Sequence, residues 1–238
     1  MKVEARSKGQ APVTAGEVDS AGPGAPVRGR GRIDKAEADG GYERSLATRE
    51  KLLDAATEGF ARVGYDGFSN RMIEQASGVH HALIGYHFGS KLGLWKACMM
   101  RMTDDNRQRS ARLLAEARDD TARLRIWLEQ YIRNTARHPE FQIMAVDAAG
   151  CHDERFQWLL ETLGRRAHDT ALELIRSAQK AETFAQGDPG ILLNSFLGAA
   201  VRIYVMAAET KNNIGRDPFD PGFIDDHVRT LFSLFFRD

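Results

Sequence analysis

The sequence predicts an all-α protein of about nine helices, and three observations carry the prediction. From Arg44 onward apolar residues recur at three- and four-residue spacing, and no segment alternates apolar and polar residues over a strand's length. Ser, Asp or Pro heads most of the periodic segments, and glycine closes the early ones. At 238 residues with 42% hydrophobic side chains the chain is long enough for one sizeable core or two small ones. No internal repeat is visible.

Residues 1–43 are rich in Gly, Pro, Ala and charge and read as a disordered tail without a core. The first helix places Leu52, Leu53, Ala56, Phe60 and Val63 on one face, and Gly64 ends it. Ser69 is positioned to cap a short helix with Ile73 and Ala76 inward, which Ser77-Gly78 breaks. A second short helix begins near His80 with Val79, Ile84 and Phe88 inward, and Gly89-Ser90 ends it. A long helix then opens at Lys91 and runs through Leu94, Trp95, Cys98, Met99 and Met102 to about Ala117. Asp119-Asp120-Thr121 opens a helix through Trp127 and Tyr131, and Pro139 suits the first turn of one carrying Phe141 and Met144. Asp153 heads a long helix to about Ala181, Pro189 one to near Asn213, and Pro221 the last, with Leu231, Phe232 and Phe235.

Charge and cysteine usage narrow the function. Lys+Arg and Asp+Glu are equal at 33 each, so no long-range cationic field gathers polyanions, and any nucleic-acid contact must be local. Cys98 and Cys151 are too few for a disulfide framework, which fits a reducing cytoplasm, and MKVEARSKGQ lacks the apolar core of a signal peptide. The most apolar run, Ile191 to Ala208, contains Asn194 and Arg202 and falls short of the roughly 20 residues a span needs. It reads as a buried helix, and no membrane partner is expected.

The segment GVHHALIGYHFGSK, Gly78 to Lys91, concentrates the chemistry. Two short helices joined by a tight glycine turn behind a packing helix form a helix-turn-helix, whose second helix must present polar or flat side chains outward. With Val79, Ile84 and Phe88 inward, His80, His81, Leu83, Tyr86 and His87 remain for base edges and phosphates. His81 and His87 are six apart and lack the i, i+4 spacing of a metal-binding helix, so no metal is expected there.

Leu52 to Trp95, LLDAATEGFARVGYDGFSNRMIEQASGVHHALIGYHFGSKLGLW, resembles the DNA-binding domain of the tetracycline-repressor (TetR) family of bacterial transcriptional regulators. The resemblance runs about fifty residues without a gap, through the Gly64-Tyr65 turn, the Gly78-Val79 turn and the Tyr86 to Lys91 ending. It implies a helix-turn-helix domain at 44–91 and a helical ligand-binding and dimerisation domain at 92–238. It also implies that Ser69 and Arg71 touch phosphate or nearby bases, that His80, His81 and Leu83 face the major groove, and that Tyr86, His87 and Lys91 hold phosphates. His80-His81, Ala82-Leu83 and Gly85 depart from the residues common in the family. Leu83 suits a thymine methyl. Gly85 costs about 1 kcal/mol of helix propensity, which either permits close approach to DNA or is tolerated drift.

From Arg44 to Lys91 six basic residues face five acidic ones, a net charge of +1, so a modest salt slope is expected. Arg28, Arg30 and Arg32 in VRGRGRID suit either a solvated linker or a minor-groove arm.

The resemblance further implies a small-molecule pocket, for which Met99, Met102, Trp127, Tyr131, Phe141, Met144 and Phe196 are the candidates, with Phe156, Trp158 and Tyr204 also in helices that resemble the family's pocket-forming set. Such a lining favours a small apolar effector. It implies a homodimer through the last two helices, with Leu193, Leu197, Gly198, Ala200 and Val201 beside Leu231, Phe232 and Phe235. The expected function is a ligand-released repressor that binds a palindromic double-stranded DNA operator. No cofactor and no catalytic residue is expected, since no phosphate-binding glycine loop or Ser-His-Asp ordering appears. Two readings compete: a helical metal-dependent enzyme using the His138 and Cys151-His152-Asp153-Glu154 cluster, and a helical protein-binding adaptor. In that cluster Asp153 and Glu154 also suit a polar helix start.

Overall fold

The computed structural model describes residues 33–237, with side chains from residue 41 onward except that of Asp105. The expected tail up to residue 32, with Arg28, Arg30 and Arg32, lies outside the described residues. The chain divides into two units, Met1–Tyr42 and Glu43–Asp238. The second carries every feature discussed below.

The helices are α1 (Ile33–Gly67), α2 (Asn70–Ser77), α3 (Ala82–Phe88), α4 (Lys91–Ala115), α5 (Asp120–Arg137), α6 (Pro139–Cys151), α7 (Glu154–Leu159), α8 (Arg165–Lys180), α9 (Pro189–Val205), α10 (Ala207–Ile214) and α11 (Pro221–Phe235). Between α7 and α8 the chain makes a π-helical turn, Leu160–Gly164. The first helix begins at Ile33 rather than at Arg44, where the tail was expected to end. KAEAD supplies strong helix formers there.

Among the described residues eleven helices stand where about nine were expected, because two long ones break. The helix expected from Asp153 to Ala181 is interrupted by the π-helical turn. The one expected from Pro189 to Asn213 breaks at Met206, and α9 and α10 meet at 85°. No single helix among the described residues is long and apolar enough to cross a membrane.

The expected cap at Asp119 forms, and Asp188 and Asp220, which the sequence reading did not name, cap two further helices. Asp119 accepts a hydrogen bond from Ala122 N at 2.8 Å, Asp188 from Ile191 N at 2.9 Å, and Asp220 from Gly222 N at 2.8 Å. Pro139, Pro189 and Pro221 each sit in the first turn of their helices, where the missing N–H costs nothing.

The buried side chains fall into two cores. The first joins Leu52, Phe60, Phe68, Ile73 and Ile84 of α1 to α3 with Leu94, Trp95 and Met99 of α4, then with Met144 and Ala148 of α6 and Leu159 of α7. It therefore crosses the expected boundary at Lys91. The second is built by α5, α8, α9 and α11 around Leu128, Ile132, Ile175, Phe196 and Leu231. An antiparallel bridge between Phe184 and Phe236 ties the end of the chain to the α8–α9 loop.

Candidate nucleic-acid interface and cavity

The helix-turn-helix is assembled by local devices. Gly64 takes a left-handed φ of 77° at the end of the first face of α1, and Gly78 one of 67° after α2. Ser69 caps α2 by accepting from Met72 N at 3.3 Å, which leaves its hydroxyl proton free to donate outward. Ser90 caps α4 by accepting from Gly93 N at 3.0 Å. Ile73, Val79 and Ile84 are buried and Phe88 is half-buried, as the spacing predicts. Ala76 and Val63, expected inward, are exposed. Phe68 and Val79, in the turns at the two ends of α2, complete its apolar contact instead.

α3 presents the outward row that the sequence predicts. His80, His81, Leu83 and Gly85 are exposed, Tyr86 is 76% exposed, and His87 is half-buried with its ring 4.9 Å from that of Tyr86. Arg71 is exposed on α2. Lys91 is half-buried, its Nζ 4.3 Å from the centre of the Tyr65 ring, and burial lowers its pKa.

The start of α3 is braced from α2. Glu74 Oε2 accepts from His81 N at 3.1 Å and lies 2.6 Å from His81 Nδ1, and this bonding holds the Glu74 carboxyl below its usual pKa. His80 Nδ1 accepts from Ala82 N at 3.3 Å. Ligating atoms of Glu74, His80 and His81 lie within 4.8 Å of one another, a grouping that sequence spacing along one helix did not reveal because Glu74 comes from the other.

Behind this unit stands a residue that the sequence reading missed. Arg155, in the first turn of α7, is buried, and its guanidinium is 2.7 Å from Asp147 and 2.7 Å from Asp153. Its Cζ lies 4.3 Å from the centre of the Tyr65 ring, and Asp147 also accepts from Tyr65 N at 3.4 Å. Burial opposes the charge on Arg155, but the hydrogen bonds it donates to Asp153 and Asp147 outweigh it and raise its pKa. The Gly64-Tyr65 turn and Lys91 are thus joined to α6 and α7 through one buried cation. An arginine at the fourth residue after Cys151 carries no sequence signal by itself.

α7 runs directly into the π-helical turn, and that turn lines a cavity of about 620 Å³. Its wall draws Phe141, Phe156 and Leu163 from the margin of the first core, and Trp127, Tyr131 and Leu193 from the second. The cavity therefore lies at the seam between the two cores. Of the residues expected to contact an effector, Trp127, Tyr131 and Phe141 line it. Met99, Met102 and Met144 are instead buried in the first core and Phe196 in the second, because their helix faces point away from the seam. Phe156 lines the cavity; Trp158 and Tyr204 do not.

The cluster near residue 151 is used structurally. Asp153 caps α7 and holds Arg155, and Glu154 pairs with Lys96 at 2.9 Å. Cys98 is buried, which pushes its thiol pKa up to about 11, and Cys151 is exposed. Of the residues expected at a dimer interface, Leu193, Ala200 and Leu231 are buried within the subunit and Phe232 and Phe235 pack on the same core. Ile191, Gly198 and Leu234 are exposed on the outward faces of α9 and α11.

A helix-turn-helix on an all-helical body with an interior cavity defines the class of protein, and comparison with known proteins narrows it. Residues 52–98 match the model for bacterial regulatory proteins of the tetR family. The HTH-type transcriptional regulatory protein RaaS of Mycobacterium tuberculosis is 39% identical over 85 residues, 36% of this chain and 37% of that protein. The alignment thus spans little more than a third of the relative's length. The ketosteroid transcriptional regulator KstR2 of Mycobacterium tuberculosis shares the fold with a TM-score of 0.64 and 15% identity, covering 80% of this chain and 95% of that one. The hemolysin II transcriptional regulator HlyIIR does so at 0.61 and 18%, covering 82% and 99%. Residues 52–98 thus match the tetR family's model, and the helical fold of the chain is shared with these two regulators.

Proposed function

We propose that the protein is a homodimeric transcriptional repressor that binds a palindromic operator and is released from it by a small, largely apolar effector. The observation that carries this reading is the exposed row of α3, held on a capped and braced helix-turn-helix whose core continues to the cavity margin. In this reading His80, His81 and Leu83 read base edges, Ser69 and Arg71 hold the start of the motif, and Tyr86, His87 and Lys91 contact phosphate. A domain of net charge +1 relies on hydroxyls and a few cations for positioning, so the salt dependence per subunit is modest.

Two α3 helices must stand about 34 Å apart to enter successive major grooves. The outward faces of α9 and α11, where Ile191, Gly198 and Leu234 are exposed, are the surface we assign to dimerisation. An effector that fits only one spacing of the dimer weakens DNA binding by its differential affinity, and DNA weakens the effector reciprocally. The route we assign runs from the π-helical turn through α7 and Arg155 to Tyr65 and Lys91.

Selection of bound sequences from random duplex DNA, followed by light scattering of the complex, tests the reading. A palindromic site bound by two chains is the expected result. A monomer at micromolar concentration, or no enriched sequence at low salt, overturns it.

A further inference from the structure

The cavity wall states more about its occupant than that it is apolar. Trp127 and Tyr131, one helical turn apart on α5, hold their rings 5.9 Å apart and within 7° of parallel, an offset aromatic stack in the cavity surface. Phe141, Phe156 and Leu163 contribute further apolar wall. A flat ring system buries more area on such a surface than a flexible chain does, and it loses less conformational freedom on binding.

Several of the polar groups in the wall are already committed. The Tyr131 hydroxyl accepts from Gln142 Nε2 at 3.1 Å, Thr135 donates to the Tyr131 carbonyl at 2.9 Å, and Thr103 donates to the Met100 carbonyl at 2.9 Å. Asn106 of α4 and Asn134 of α5 differ. Each has a carboxamide oxygen buried in the wall with no hydrogen-bond partner. Buried polar atoms of this kind are rare in a folded protein and call for a partner from the ligand.

Charge decides what kind of partner. No acidic side chain lines the cavity among the described residues, so a cation would be buried without a counter-charge. Arg107 and His168 are the basic groups of the lining, but both are exposed and face acidic neighbours outside it, Arg107 at 3.5 Å from Asp104 and His168 at 3.8 Å from Asp169. An anion placed against the two asparagine oxygens would be repelled. A hydroxyl both donates and accepts, so it suits each carboxamide whichever way the amide is turned.

We propose that the cavity binds an uncharged, flat, polycyclic lipophile bearing a hydroxyl group, with the rings on Trp127 and Tyr131 and the hydroxyl donating to the carboxamide oxygen of Asn106 or Asn134. The inference deepens the reading of the chain as an effector-released repressor, but it concerns binding alone and is tested without DNA.

Four probes of one skeleton separate the alternatives: pyrene, 1-hydroxypyrene, 1-pyrenecarboxylate and 1-pyrenemethylammonium. Each is titrated into the full chain, and energy transfer from tryptophan is read. The hydroxyl compound should bind about tenfold or more tighter than each of the others, the gain expected of one buried hydrogen bond. The Asn106→Leu, Asn134→Leu double variant should reverse the order of pyrene and 1-hydroxypyrene. If that variant does not fold, the wild-type ranking decides alone. Tightest binding by the carboxylate with loss on Arg107→Gln, equal binding of pyrene and its hydroxyl derivative, or no saturable binding of any probe each overturns the proposal. Preferential binding of 1-hydroxypyrene that fails to release DNA would leave the proposal standing and sink the reading of the cavity as the repressor's switch.

Discussion

The two cores hold their helices by different means. In the first, α2 and α3 are 8 and 7 residues long, too short to be stable alone, and each end is pinned by a local device. Ser69 and Ser90 cap α2 and α4, Gly78 closes α2, Gly89 follows α3, and Glu74 braces the start of α3 through His81. In the second, α5, α8, α9 and α11 are 18, 16, 17 and 15 residues long; three of them are capped as well, but burial of a long face holds them. Failure of one cap in the first core should therefore cost more than a comparable loss in the second.

The sharpest way to break this contrast is Gly93→Ala. A β-carbon at Gly93 would collide with the Phe88 carbonyl oxygen, a backbone atom that no rotamer change can remove. The α3–α4 corner must open to admit it. We expect a loss of about 3 kcal/mol, which lowers the melting temperature by roughly 6–12 °C in a chain of this size, with loss of operator binding. Gly198→Ala on α9, where an added β-carbon meets nothing within 4 Å, should leave melting unchanged or slightly raised. Equal melting of the two variants by circular dichroism would remove the contrast.

The same difference explains what was legible in the sequence. Where helices are short, capping and turn residues are dense, and Ser69, Gly78, Val79, Ile84 and the exposed row of α3 were all readable. Ala76 and Val63 were misassigned because turn residues supplied the burial that helical spacing assigned to them. Where helices are long, periodicity says that a face is buried but not against what. Met99, Met102, Met144 and Phe196 therefore read as cavity residues, although their faces turn into the cores. The π-helical turn and the break at Met206 depend on tertiary packing, and neither carries a glycine or proline signal at its start. Arg155 was invisible because its partners Tyr65 and Asp147 are distant in the chain or on another helix.

A second expected effect is a loss of communication between the cavity and the helix-turn-helix. Arg155→Met removes the cation that joins Asp147, Asp153 and Tyr65 but keeps an unbranched apolar stem. Asp147 and Asp153 retain access to water, so the cost should be near 2 kcal/mol, smaller than for a fully buried pair. Operator affinity without effector should change by less than about threefold, while release by effector falls about tenfold, a coupling loss near 1.4 kcal/mol. Fluorescence anisotropy of labelled operator with and without effector measures both. Unchanged release would place the route elsewhere.

The second core carries a weaker, pH-dependent device. His227 of α11 is buried with its Nδ1 3.0 Å from the Tyr204 hydroxyl, and burial lowers its pKa. The unfolded chain then takes up the proton first. The stability contributed by neutral His227 is complete above its unfolded value of about 6.5 and is lost as pH falls through and below it. Denaturant midpoints measured from pH 7.5 down to 5 should fall for the native protein and fall less for His227→Gln. A parallel decline in both would assign the acid sensitivity to other groups.

The smallest expected effect separates fold from recognition at one residue. Gly85 lies on the outer face of α3, and an added β-carbon there would meet nothing within 4 Å. Gly85→Ala should therefore stabilise the first core by up to about 1 kcal/mol through helix propensity, since no packing opposes it. If the backbone of α3 approaches the DNA at this point, the same variant should bind operator several-fold more weakly even as it melts higher. Opposite changes in melting temperature and affinity require that glycine was kept for contact outside the subunit. A variant that is both more stable and equally tight would mean that Gly85 is tolerated drift, and that His80, His81 and Leu83 carry the operator preference without it.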